Sequence, residues 1–171
     1  SSIVKINSTS IIQSQDPSIY KLPPYILTST NQYILNLTVI SLVSSRSASD
    51  LVNIIVKAST IIPKISSGLL TTITVGKNII IDASNSIDPD RKGVTGNNAG
   101  LKYEWKCIQK EPIYSPNCSI NMNMLSTVIT DRVNITATTT AIGTINRITV
   151  IVYDSGRIRS SSLYTDVITV A

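Results

Sequence analysis

Lys102-Tyr103-Glu104-Trp105-Lys106-Cys107 alternates strictly along its length. Tyr103, Trp105 and Cys107 fall on one side, and the charged residues fall on the other. A period of two marks an extended strand with one face buried and one face in water. The pattern recurs on both sides of this stretch. In Tyr33-Ile34-Leu35-Asn36-Leu37-Thr38-Val39 the odd positions are apolar. In Arg147-Ile148-Thr149-Val150-Ile151-Val152 the inward set is Ile148, Val150 and Val152. Apolar residues at the helical spacing i, i+3, i+4, i+7 form no long stretch anywhere.

Composition agrees with this reading. The chain has 171 residues, 42% of them hydrophobic, with no Phe and only 5% aromatics. Ile, Val and Leu must therefore fill the core. Ile, Val and Thr are branched at Cβ and stiff at χ1, which suits a pleated sheet better than a helix. Turn signals separate the alternating runs: Ser44 to Asp50, the polar Gly/Asn stretch Arg91 to Gly100, and Asp154-Ser155-Gly156. Short strands at this spacing predict a β-sandwich.

The chain also carries an internal repeat. Leu37-Thr38-Val39, a Ser/Arg-rich turn and Asn53-Ile54-Ile55-Val56 resemble Ile148-Thr149-Val150, a second such turn and Asp166 to Val170. Each reads as a hairpin that closes a module. The expected organisation is all-β, with Ig-like β-sandwich modules in tandem, one partial and one complete. Residues 1–60 form the back half of one module, 61–65 a linker around Pro63, and 66–171 a complete module. Pro cannot join a central ladder, which favours the linker reading at Pro63. A half module leaves edges and apolar faces uncovered. Its missing strands are expected from another copy of the chain or from an adjoining module. The opening Ser-Ser, with no Met, basic region or apolar run, predicts a processed or internal fragment.

Several kinds of chemistry lack their residues. Histidine is absent, which removes the Ser-His-Asp and Cys-His arrangements and most zinc sites. The Gly/Asn stretch lacks the Lys-Ser/Thr of a phosphate loop. The expectation is that the chain is not an enzyme. The net charge of +5 is spread along the chain without a run, so nucleic acid is not expected as a partner. No apolar run reaches the ~20 residues of a membrane span. Asp82, Asp88 and Asp90 are the one dense carboxylate group. They read either as turn architecture around Pro89 or as ligands of a calcium ion.

Asp82-Ala83-Ser84-Asn85-Ser86-Ile87-Asp88-Pro89-Asp90, followed by the strand bearing Trp105 and Cys107, resembles the polycystic kidney disease (PKD) domain. It resembles more closely the receptor for egg jelly (REJ) type found in polycystin-like surface proteins. That type carries a Cys two residues after the Trp. The Gly-Asp-Gly that follows the Trp in many PKD domains is missing, which favours the REJ type. The resemblance implies an Ig-like sandwich, extracellular or cell-surface display, and no catalysis. Trp105 and Tyr103 are then core residues. Cys107 and Cys118 are expected to pair in an extracellular module; two reduced thiols in a cytosolic protein are the alternative.

Four N-x-Ser/Thr sequons stand at Asn7, Asn36, Asn117 and Asn134. With 13 Asn and 43 Ser plus Thr, chance alone gives about three. Their number thus decides nothing, but Asn36 and Asn134 alternate with inward residues and point outward, where N-glycans have room. The expected function is a structural repeat segment of a glycosylated extracellular protein that forms a stalk, filament or coat. The alternative is an adhesion module that binds a glycan or receptor, with calcium as its one candidate cofactor.

Overall fold

A computed structural model describes residues 19–124 and 130–171 of the chain. It divides into two compact units, Ser1–Ser59 and Thr60–Ala171. In the first unit, β1 (Gln32–Ile40) pairs antiparallel with β2 (Ser47–Ile55). The second unit holds β3 (Leu70–Thr74), β4 (Asn78–Asp82), β5 (Lys102–Glu111), β6 (Asn121–Met124), β7 (Arg132–Thr136), β8 (Ile145–Tyr153) and β9 (Ser160–Val170). The fold is all-β, with short 3-10 turns at Gly96–Ala99 and Thr139–Ala141 as its helical content among the described residues.

The second unit is a two-sheet sandwich. One sheet has the order β3-β9-β8-β5 and the other β4-β7-β6. β3 runs parallel to β9, while the remaining pairs are antiparallel. The inward side chains are those that alternation assigns. Ile148, Val150 and Val152 of β8 and Ile81, Val133 and Ile135 of the facing sheet are fully buried, and Tyr103 and Trp105 of β5 join the same core. The indole Nε1–H of Trp105 donates to the Thr130 carbonyl at 2.9 Å, which satisfies its one polar atom in an apolar setting.

Residues 61–65, expected as a linker, belong to the sandwich. Ile61 is 1% exposed and lies in the core cluster. Ile62 and Ile87 exchange two backbone hydrogen bonds of 2.9 Å, and Lys64 N–H donates to Ser86 Oγ at 3.1 Å. Pro63 tolerates this because the bridge needs the amide of its neighbour and not its own. The first turn is also shorter than the Ser/Arg-rich sequence implies. It spans residues 41–46, and Ser47 to Asp50 extend β2.

The first unit is open in a way the second is not. β1 and β2 pair only with each other among the described residues. Tyr33 at the far end of their apolar phase is buried, but the rest of that phase turns to water: Leu37 is 65% exposed, Val39 62% and Val52 54%.

Truncation of Ile61 distinguishes a core strand from a linker. Ile61→Ala is expected to destabilise the second unit by about 2–4 kcal/mol, because it leaves a cavity in a packed core. Urea denaturation checks this; a change below about 0.5 kcal/mol would return Ile61 to a linker.

Candidate functional site

The Asp82–Asp90 segment folds as a chain of side-chain-capped turns. Asp82 Oδ1 accepts the Ser84 amide at 2.7 Å. Ser86 Oγ donates to the Ala83 carbonyl at 2.7 Å. Asp88 Oδ1 accepts the Asp90 amide at 3.0 Å. Asp and Ser do this readily because their short side chains reach backbone groups two or three residues away. The following loop is pinned where Gly96 (φ 56°) donates to the Ser86 carbonyl at 2.9 Å. A Cβ at Gly96 would collide with the Ser84 carbonyl, so glycine is required there.

The three carboxylates do not converge on one point. Asp82 Oδ2 turns to Arg132 Nε at 2.9 Å. Asp88 and Asp90 meet Arg159, at the start of β9's approach. Arg159 Nη1 and Nη2 donate to Asp88 Oδ1 and Oδ2 at 3.0 and 2.8 Å. Nη1 also reaches Asp90 Oδ2 at 2.9 Å, and Nε reaches Asp154 Oδ2 at 3.2 Å. The candidate calcium set Asp82, Asp88 and Asp90 is therefore engaged by guanidinium groups, and no cluster of three or more metal-ligating residues occurs among the described residues. A planar fork suits this place because Arg matches a carboxylate in two parallel bonds and satisfies more acceptors with its remaining N–H. Asp88 is only 3% exposed, so it needs a compensating cation to remain charged there. The clamp ties the β8–β9 loop to the turn that precedes β5.

A second network crosses the solvent face of the four-stranded sheet. Arg147 Nε and Nη2 donate to Asp166 Oδ1 and Oδ2 at 2.8 and 2.9 Å. Lys110 Nζ reaches Asp166 Oδ2 at 3.3 Å. Arg147 also stacks 3.7 Å from the Tyr164 ring centroid. The bonds from Arg147 hold the Asp166 carboxyl below its usual range, against a smaller opposing effect of burial. For Asp154 and Asp82, burial raises the pKa, but hydrogen bonds and cations outweigh it. Ile158 N–H and Arg159 lower Asp154, and Ser84 and Arg132 lower Asp82. In the core, burial pushes the Tyr103 phenol up to about 12, so it stays neutral.

Cys107 and Cys118 form a disulfide, with Cα atoms 5.5 Å apart. Inside it, Gln109 and Ser115 exchange two backbone bonds of 3.0 Å, and Gln109 Nε2 donates to the Ile113 carbonyl at 2.9 Å. The stapled loop presents Ile113 and Tyr114, 76% and 66% exposed. No alternation or motif marks these two residues in the sequence.

Of the sequons, Asn117 is exposed within this loop and Asn36 is exposed on β1. Asn134 faces outward but stands mid-sheet between Ile80 and Asn123, half-buried, with its Oδ1 buried and unpartnered. That setting is tighter than alternation alone implies. Asn7 lies outside the described residues.

Residues 2–171 match the REJ domain family along almost the whole chain. The chain belongs to the REJ domain family. No curated protein matches it in sequence. Among solved structures, the REJ chain is similar to a nucleoside hydrolase-related protein of Saccharophagus degradans associated with carbohydrate metabolism, at 18% identity and a TM-score of 0.46. That match covers 67% of this chain and 26% of the other. It is also similar to an endo-fucoidan hydrolase of glycoside hydrolase family 107, at 13% identity and a TM-score of 0.37, covering 83% of this chain and 19% of the other. This chain thus spans about a quarter or less of the length of either protein. Likeness at this level carries no activity or residue role across.

It does correct one expectation. The missing histidine and phosphate loop led to the reading that the chain is not an enzyme, yet the structures it resembles are hydrolases or hydrolase-related. The two absences do not exclude catalysis by themselves, since paired carboxylates hydrolyse glycosides without histidine.

Two outcomes follow from the clamps. Arg159→Met keeps the stem but leaves Asp88 buried and uncompensated. It is expected to cost about 3 kcal/mol by urea denaturation; a loss under about 1 kcal/mol would show that the clamp is dispensable. Acid acts on the same groups. The folded pKa values of Asp82, Asp154 and Asp166 lie below the unfolded value near 3.9. Their stabilisation is complete above about pH 5 and is lost as pH falls through the folded values. The midpoint of denaturation is expected to fall between pH 5 and 2, and to fall less in Asp166→Asn.

Proposed function

We propose that this REJ domain is a load-bearing structural segment of an extracellular surface protein, in which Ig-like modules follow one another in a stalk or coat. The observation that carries this reading is the parallel pairing of β3 with β9. β3 lies near the start of the second unit and β9 at its end. Tension between the ends of that unit pulls two parallel neighbours in opposite directions along their axes. The bonds between them then carry the load together, whereas an antiparallel hairpin pulled from its open end loses them one at a time. Val75 N–H to the Val170 carbonyl at 3.0 Å and Asp166 N–H to the Leu69 carbonyl at 2.9 Å bracket this contact. The Ile62–Ile87 bridge engages the leading segment with the turn segment that follows β4.

The disulfide supports an oxidising, extracellular setting, where such bonds persist, and the family context agrees. Among the described residues no helix is long and apolar enough to cross a membrane. Exposed Asn36 and Asn117 offer room for glycans. The adhesive alternative expects an exposed aromatic or a calcium-dependent loop at 82–90 or 91–100; the carboxylates of 82–90 are held by Arg132 and Arg159, which weighs against its calcium form.

Pulling the chain between its ends by force spectroscopy tests the proposal. The second unit is expected to unfold in one step that releases about 30 nm, and about 3 nm more after reduction, at ~3.3–3.6 Å per residue. Val75→Pro removes the donor to Val170 and is expected to lower the rupture force. Equal rupture forces for the two chains would sink the load-bearing reading.

A further inference from the structure

The two hairpins share one register. Adding 113 to each residue number of the β1–β2 ladder reproduces the β8–β9 ladder, from Ile40↔Ser47 onto Tyr153↔Ser160 to Gln32↔Ile55 onto Ile145↔Ile168. The correspondence continues beyond the strands. Thr30 N–H donates to the Val56 carbonyl at 2.8 Å, and Gly143 N–H to the Thr169 carbonyl at 2.9 Å. Val56 N–H reaches the Asn31 carbonyl at 3.1 Å, and Thr169 N–H reaches the Thr144 carbonyl at 3.1 Å. Thr30 and Gly143 both have positive φ, 69° and 76°. The connecting loops, 41–46 and 154–159, are equal in length and close with matching bonds, Ser41 N–H to Arg46 O at 2.8 Å and Asp154 N–H to Arg159 O at 3.1 Å.

Equivalent positions differ in what covers them. Val150 and Val152 are fully buried, while Leu37 and Val39, their counterparts, are 65% and 62% exposed. β8 and β9 are flanked by β5 and β3, while β1 and β2 have no outer neighbour among the described residues. Arg159 clamps Asp88 and Asp90, while Arg46 in the same place is exposed and has no ion pair among the described residues.

We propose that the β1–β2 hairpin is the docking surface for the front strands of a like module, and that Arg46 is its socket for an Asp-Pro-Asp turn of that partner. The charge of the socket and the register of the face specify the occupant together. The face measures roughly 30 by 10 Å from strand spacings. That is less than the ~800 Å² each partner of a stable complex buries, so the face needs edge pairing and the charged clamp as well. The occupant supplies all three when it is laid out as β3 to β7 are. An intact second copy cannot supply them, because its β3 and β5 edges and its Asp88 and Asp90 are already taken by its own β8–β9 hairpin. The occupant is therefore a module that lacks its closing hairpin. This inference rests on the tandem reading above, but not on its mechanical result.

The test is a chimera in which residues 60–142 replace residues 1–29 and run directly into residue 30. Hydrogen exchange is expected to protect the amides of residues 32–55 to within about tenfold of those of 145–168, whereas in the natural chain they exchange fast. Arg46→Met is expected to lower the melting temperature of the added module in the chimera and to leave the natural chain unchanged. Fast exchange of 32–55 in a folded chimera overturns the proposal, as does an Arg46→Met that is silent there while Arg159→Met destabilises. The reciprocal exchange, residues 30–56 in place of 143–169, is expected to fold. Aggregation of both chimeras overturns the equivalence. A chimera that fails while the natural chain still resists force removes this inference alone.

Discussion

The guanidinium of Arg159 joins parts of the sandwich that alternation cannot join. It holds Asp88, Asp90 and Asp154 at once, linking the turn before β5 to the loop between β8 and β9. Asp88 is almost fully buried, and a buried carboxylate is tolerated only with a cation and full hydrogen bonding. The capped turns of Ala83 to Ser86 and the glycine at 96 exist in the geometry that presents Asp88 and Asp90 to this one side chain. The hydrophobic layers fill the sandwich, and the clamp sets how the closing hairpin meets the rest of it.

The same hairpin closes the four-stranded sheet. β9 lies between β8 and β3, so one strand carries the antiparallel ladder, the parallel ladder and the Arg147–Asp166–Lys110 network. Loss of the hairpin would open both flanking edges and strand the carboxylates of the clamp. The first unit shows the converse: a hairpin of identical register, with Leu37 and Val39 of its apolar face in water and its arginine without an ion pair among the described residues. The contrast between Val150 and Leu37, alike in register and opposite in exposure, separates what a strand is from what its neighbours make of it.

Much of the fold was legible because period two is a local property. The strands around Trp105 and Val150, their inward sets and the sandwich follow from it, and the Asp-Pro-Asp turn with Trp105 and Cys107 pointed to the REJ family. The repeat is visible too, with its second strands in register, Asn53 against Asp166, and its first strands two residues out. Composition sets Leu37-Thr38-Val39 against Ile148-Thr149-Val150, whereas the two ladders make Val150 the equivalent of Leu37. A slip of two preserves the face of every side chain, so alternation cannot detect it. The signal that resolves it is polar: Arg46-Ser47-Ala48-Ser49 against Arg159-Ser160-Ser161-Ser162.

By itself the sequence determined an all-β chain with Ile, Val and Leu cores, two hairpins of one kind and a family resemblance, because each rests on neighbours a few residues apart. Only the tertiary structure decided that Ile61 is core and not linker, that Asp88 meets an arginine 71 residues away, that Asn134 is hemmed in mid-sheet, and that β3 runs parallel to β9. Those depend on contacts between segments distant in the chain. The energies that select them, burial of a side chain or compensation of a charge, come into being only when the segments meet.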